Sequence, residues 1–146
     1  AVYGGMLWYD APLLVLDFGT AITADIIDRK GIYQGGLIIP GVETSFRALM
    51  EKGVLLPEVK KLNSGTVSLA AKNTPAALRS GTVYGFASLV DGIVCRCRDE
   101  YGDDMHCIAT GGAAELILPH CTETIEHVPH LIHKTLYAVA RFLEKQ

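Results

Sequence analysis

No basic stripe runs through this sequence. Lysine and arginine number 13 against 16 acidic residues, for a formal net charge of −3. Affinity for a nucleic-acid backbone rests on clustered cations, so binding of that kind is not expected. The densest cationic spot, Lys60-Lys61, sits between Pro57 and Asn63 and reads as solvated loop charge. No apolar run reaches the roughly 20 residues of a membrane span. The opening Ala1-Val2-Tyr3-Gly4-Gly5 lacks the charged-then-apolar order of a secretory signal. The four cysteines, Cys95, Cys97, Cys107 and Cys121, form neither a C-x-x-C pair nor zinc-ligand spacing with the histidines. On a helix Cys95 and Cys97 point to nearly opposite faces, so free thiols in a reducing cytoplasm are expected. There is no G-x-G-x-x-G and no P-loop, which sets aside dinucleotide and Walker-type sites. Internal repeats and low-complexity segments are likewise missing.

What is present suits one domain: 146 residues and 15.7 kDa, a size that buries roughly 70% of its unfolded surface. Its organising stretch is Leu13-Leu14-Val15-Leu16-Asp17-Phe18-Gly19-Thr20-Ala21-Ile22-Thr23. An unbroken apolar run ends in an acid, turns at Gly19 and returns through a β-rich run to Ile27, which predicts a buried hairpin. A carboxylate at the mouth of a buried strand is costly unless it meets a cation or donors. With the Thr20 hydroxyl and main-chain N–H groups, Asp17 can form a cradle for a phosphate and its counter-ion. An ordinary hairpin with a polar turn is the simpler alternative for this stretch alone.

After a turn at Asp28-Arg29-Lys30-Gly31, residues 32–39 are expected to form a third antiparallel strand that Pro40-Gly41 breaks. Phe46, Leu49 and Met50 mark a helix over 42–52 ending at Gly53, and 55–69 has no period and reads as a connecting loop. Asn73-Thr74-Pro75 opens the longest helix, to about Tyr101. Within it Gly81, Gly85 and Gly92 share a face smooth enough for close approach, by the sheet of the same chain first and by a second subunit otherwise. A short strand over 105–110 feeds Gly111-Gly112, where a helix N-terminus with unpaired N–H groups can face a ligand. A last short strand is expected over 122–128. A final helix over 129–144 should turn Leu131, Ile132, Leu136, Val139, Ala140 and Leu143 inward. His130 and His133 on it lack a third ligand and read as surface histidines. Strands then helix, followed by alternation, give an α/β fold with a mixed sheet.

Five motifs in order resemble the type III pantothenate kinase family: Asp17-Phe18-Gly19-Thr20-Ala21 followed by Thr23, Gly35-Gly36 before Ile39-Pro40-Gly41, Asn73-Thr74, Ser80-Gly81 with Tyr84-Gly85, and Thr110-Gly111-Gly112. The likeness runs over 13–118. It implies the superfamily of acetate and sugar kinases, heat-shock ATPases and actin, built from two ribonuclease H-like halves with ATP between them. This chain is similar to the second half as a single domain over 1–146, the N-terminal half being absent. Carried over by motif, Asp17 matches the monovalent-cation ligand, Gly19 and Thr20 the ATP-phosphate turn, Gly111 and Gly112 the turn facing the nucleotide, and Thr74 the pantothenate contact. The implied cofactors are ATP with Mg²⁺ and a monovalent cation, K⁺ or NH₄⁺. The implied assembly is a homodimer in the cytoplasm, with no nucleic acid or membrane partner.

Departures from the pattern matter as well. The family's first phosphate motif, Asp-x-Gly-Asn-Thr, is absent, and so is the Gly-x-Asp-Arg that supplies the general base. Asp28-Arg29 does not replace it, since Ile26 stands where glycine should. No catalytic residue is therefore assigned within the chain. The expected activity, ATP-dependent phosphorylation of pantothenate to 4'-phosphopantothenate for coenzyme A synthesis, belongs to the intact protein. The alternatives are a non-catalytic module similar to a transcriptional accessory factor, and a dimerisation domain, which leaves Asp17 and Thr20 unexplained.

Overall fold

The computed structural model describes residues 1–53, 62 and 66–144. The apolar run becomes β1, Leu13–Phe18, buried throughout except at Asp17. A strand covered on both faces has only its neighbours to satisfy its backbone, which places it centrally in a sheet. β2 (Ala21–Ile27) returns antiparallel to it, and β3 (Tyr33–Pro40) pairs antiparallel with β2 as the exposed edge. Between them the Asp28 carboxylate accepts the N–H groups of Lys30 and Ile32 at 2.8 and 3.0 Å, and Gly31 supplies the left-handed corner at φ 73°. On the other side of β1 lies β4 (His106–Thr110), parallel, followed by β5 (Glu126–His127), also parallel. The five-stranded mixed sheet has the order β3-β2-β1-β4-β5.

Helices α1 (Val2–Trp8), α2 (Val42–Lys52), α3 (Thr74–Tyr101), α4 (Ala114–Ile117) and α5 (Leu131–Leu143) accompany the sheet. Alternation along β1 divides the core between its two faces. Leu14, Leu16 and Phe18 belong to the larger cluster, with Phe46 of α2 and Ala87, Val90 and Val94 of α3. Leu13 and Val15 belong to a smaller one with Ile108, Val128 and Leu131, against which Val2 of α1 packs. Asp17, two residues on from Val15, shares that second face.

The long helix starts as its sequence dictates: the Asn73 side chain accepts the Ala76 N–H at 3.0 Å and Pro75 sits in the first turn. Its buried stripe, however, is Ser80, Val83, Ala87, Val90, Val94 and Cys97. A Cβ placed on Gly81, Gly85 or Gly92 would meet nothing within 4 Å. The glycine face therefore does not pack on the sheet of its own chain; larger residues spaced three and four apart perform that packing. Ser80 and Tyr84 tie down the approach to the helix, donating to the carbonyls of Leu69 (2.7 Å) and Val67 (3.3 Å).

Other departures have equally local causes. α1 has no helix signal in the sequence: Gly4 and Gly5 are poor helix formers, but they are buried against Leu131, Leu13 and Val15, and that packing holds the segment. The last strand is shorter than the expected 122–128, because Asp91 of α3 takes the N–H groups of Thr122 and Glu123 that a strand would have used. Of the face expected inward on α5, only Leu131 is fully buried; Ile132, Leu136 and Leu143 are 42%, 62% and 64% exposed. Gly4 of α1 packs on Leu131 and Thr135, and Val139 is half-buried, while Leu136 and Leu143 stay exposed. The expected loop over 55–69 lies largely outside the described residues, as does Lys60-Lys61; residues 66–68 carry neither helix nor strand. All four cysteines are free, and burial pushes the Cys107 and Cys121 thiols up to about 11 and 12. Among the described residues no helix is long and apolar enough to cross a membrane.

Candidate functional site

Asp17 is the last polar residue of β1 before the turn, and the sheet surrounds it with hydroxyls. Across the antiparallel ladder it stands opposite Thr23 of β2, and across the parallel ladder opposite Thr110 of β4. Residues in register share a face, so the carboxylate has a threonine on each side. Thr110 is only 3% exposed, a buried polar residue of the core. Carboxylate plus hydroxyl oxygens form a hard-donor set suited to K⁺ or Mg²⁺. Among the described residues no group of three or more histidine, cysteine, aspartate or glutamate side chains can hold a metal by itself. A Mg²⁺ here would take its remaining ligands from phosphate and water, the usual state of nucleotide-bound magnesium.

The turn after Asp17 is rigidly seated. Gly19 donates its N–H to the Ala21 carbonyl at 3.0 Å, and the Thr20 carbonyl accepts both the Gly41 N–H (2.9 Å) and the Thr44 hydroxyl (2.8 Å). Gly41 approaches so closely that a Cβ there would lie 2.3 Å from the Gly19 oxygen. The start of α2 thus clamps the turn from behind and leaves Thr20 exposed at its tip. Thr44 was not singled out in the sequence, where nothing links it to a turn 24 residues earlier.

Gly111 adopts φ 96° with its Cα packed on β1, where a Cβ would fall 2.5 Å from the Phe18 oxygen. The helix after it, α4, is a single turn, and its first N–H groups are already engaged: Ala113 donates to Phe18 at 3.4 Å and Ala114 to Gly111 at 3.2 Å. Gly111 thus serves close backbone approach more than it opens a helix N-terminus. Gly112 is exposed, with open space around it.

Asp17, Thr110, Gly111 and Gly112 meet in one cavity of about 350 Å³ at the C-terminal ends of β1 and β4, together with Glu115, His127, His130 and His133. Gly19 and Thr20, in the β1–β2 turn, are not among the residues that line it. Thr74 is elsewhere: it lines a separate, mainly apolar cavity of about 420 Å³ between α2 and α3, with Phe46, Leu49 and Gly81. Asp17, Gly111 and Gly112 are brought together in this chain; Gly19 and Thr20 stand at the turn outside that lining, and Thr74 lies in the other cavity.

Comparison with known proteins gives the family. The family model for type III pantothenate kinase matches residues 1–96. This chain belongs to the type III pantothenate kinase family. A type III pantothenate kinase of Nocardia farcinica is 43% identical over 142 residues, covering 94% of this chain and 51% of its own length. One from an Exiguobacterium species is 47% identical over 124 residues, covering 85% and 47%. The chain spans about half the length of the curated relatives it matches. Among solved structures, a Campylobacter jejuni protein described as of the Baf family of transcriptional activators superposes with a TM-score of 0.61 at 20% identity, over 98% of this chain and 63% of its own. That likeness concerns the fold alone.

Proposed function

We propose that this chain forms one lobe of an ATP-dependent pantothenate kinase. In this reading the intact protein transfers the γ-phosphoryl group of ATP to the primary hydroxyl of pantothenate, giving 4'-phosphopantothenate for coenzyme A synthesis. The observation that carries it is Asp17 flanked in register by Thr23 and Thr110, beside Gly111 and Gly112 in one cavity, in a member of this family. Phosphoryl transfer needs positioned phosphates, neutralised charge and a base near the attacking hydroxyl. Asp17 would hold the monovalent cation, Thr20 and Gly19 would contact the phosphates, and Gly111 and Gly112 would border the nucleotide. ATP brings Mg²⁺, whose chemistry is charge neutralisation on the transferring group.

The lobe is half of a ribonuclease H-like, actin-type architecture, and the other half supplies the base and the first phosphate motif. The exposed Leu136 and Leu143 of α5 and the exposed Met6, Leu7 and Trp8 of α1 form the face for that half. Pantothenate reaches Thr74 at a homodimer junction along the open glycine face of α3, and the assembly works in the cytoplasm. Base removal costs about 10²–10⁴-fold in rate, and an incomplete cleft adds to that, so the chain alone should not turn over.

The test is a chimera in which this chain replaces the matched half of the Nocardia farcinica relative. An assay of ADP release with pantothenate and ATP should show turnover by the chimera and none by the chain alone. Asp17→Asn in the chimera should weaken ATP binding and abolish stimulation by K⁺, with the thermal midpoint unchanged. Equal K⁺ dependence with and without the substitution would remove the cation role, and turnover by the isolated chain would refute the half-site reading.

A further inference from the structure

The cavity around Asp17 has an unusual charge inventory. Two carboxylates, Asp17 and Glu115, line it, and among its described lining residues there is no lysine or arginine. A phosphate chain cannot lie beside two carboxylates without counter-charge and donors. A cation at Asp17 answers only part of that requirement. The nitrogen-bearing side chains of the wall are histidines, and two of them, His130 and His133, stand one turn apart where α5 begins, their rings in edge contact with centroids 5.8 Å apart.

The backbone spends conformational freedom to hold them there. His130 has φ 60° and ψ 28°, the sole positive-φ residue other than glycine among those described. Asparagine or glycine takes this conformation more readily, and such strain gathers at functional sites. The His130 side chain makes no capping hydrogen bond to its own helix. Nearby Glu126 does not compete for these rings, since its carboxylate accepts from the Tyr9 hydroxyl at 2.6 Å and pairs with His106 at 3.2 Å.

We infer that His130 and His133 are the donor wall for the phosphate chain of the nucleotide, in the place where lysine or arginine stands in other phosphate sites. Their imidazole N–H groups donate to phosphate oxygens on the side opposite the Asp17 cation. The inference rests on the phosphotransferase reading and adds to it two binding residues on α5.

Calorimetric titration of the 146-residue chain with magnesium ADP and with magnesium triphosphate, which has no base or sugar, tests it. His130→Asn keeps a residue that tolerates the left-handed corner, and His133→Gln keeps a polar side chain. The double variant should bind both probes about tenfold more weakly than the parent, with an unchanged thermal midpoint. Asp17→Asn, run in parallel, reports on the site itself. If Asp17→Asn weakens binding and the histidine variant does not, the donor wall is wrong and the phosphotransferase reading stands. A loss for ADP without a loss for triphosphate would place the histidines on the base or sugar and overturn the inference. If the parent chain binds neither probe, or no variant changes affinity, both readings fall.

Discussion

A methyl group at position 111 would sit 2.5 Å from the Phe18 oxygen on a backbone at φ 96°, whereas one at 112 would meet nothing. Two adjacent glycines of one motif therefore do different work. Gly111→Ala should destabilise the fold by about 2–4 kcal/mol, from left-handed strain together with overpacking against β1. Gly112→Ala should stay within about 0.5 kcal/mol. Urea midpoints at constant m-value would measure both, and equal effects would contradict the division of roles. The sequence marks the pair but cannot divide it, because the distinction depends on how closely β4 passes β1. Thr110 is a similar case. Its neighbour Asp17 is 93 residues away, and only the parallel register joins them.

At the scale of elements, the hairpin, β3, α2, α3 and β4 are legible because each has its own period and its own stop, such as Pro40-Gly41 or Gly102. What the sequence could not announce depends on contacts made from elsewhere. α1 exists through the burial of two glycines, and β5 is short through a carboxylate on α3. Asp91 accepts the Thr122 N–H at 2.9 Å, the Thr122 hydroxyl at 2.8 Å and the Glu123 N–H at 3.0 Å, and so fixes the entry to β5. Partial burial works to raise its pKa, but these hydrogen bonds outweigh it, and the carboxyl is held below its ordinary value. Asp91→Ala should cost about 1.5–3 kcal/mol at neutral pH. A depressed carboxylate contributes fully above its unfolded value and loses that contribution as pH falls through the folded one. The stability gap between parent and variant should therefore close below about pH 4. A gap that persisted in acid would mean that packing, not the charged acceptor, holds the segment.

For the whole molecule, a second copy laid along α3, as proposed, would explain both the open glycine face of α3 and the separation of Thr74 from Asp17. Bare glycines in water cost helix stability for nothing, while close helix approach across a two-fold axis offsets that cost. A Cβ at Gly85 meets nothing within 4 Å, so circular dichroism of Gly85→Leu should show an intact fold. Sedimentation should then show a dimer shifted towards monomer, and a parent already monomeric at high concentration would defeat the idea. In the proposed function the C-terminal ends of β1 and β4 hold nucleotide phosphate. Amide NMR of the labelled chain titrated with magnesium ATP tests it most directly. Phosphate binding there should concentrate shifts at residues 17–21 and 110–113, and shifts confined to the cavity between α2 and α3, or none at saturating nucleotide, would contradict it.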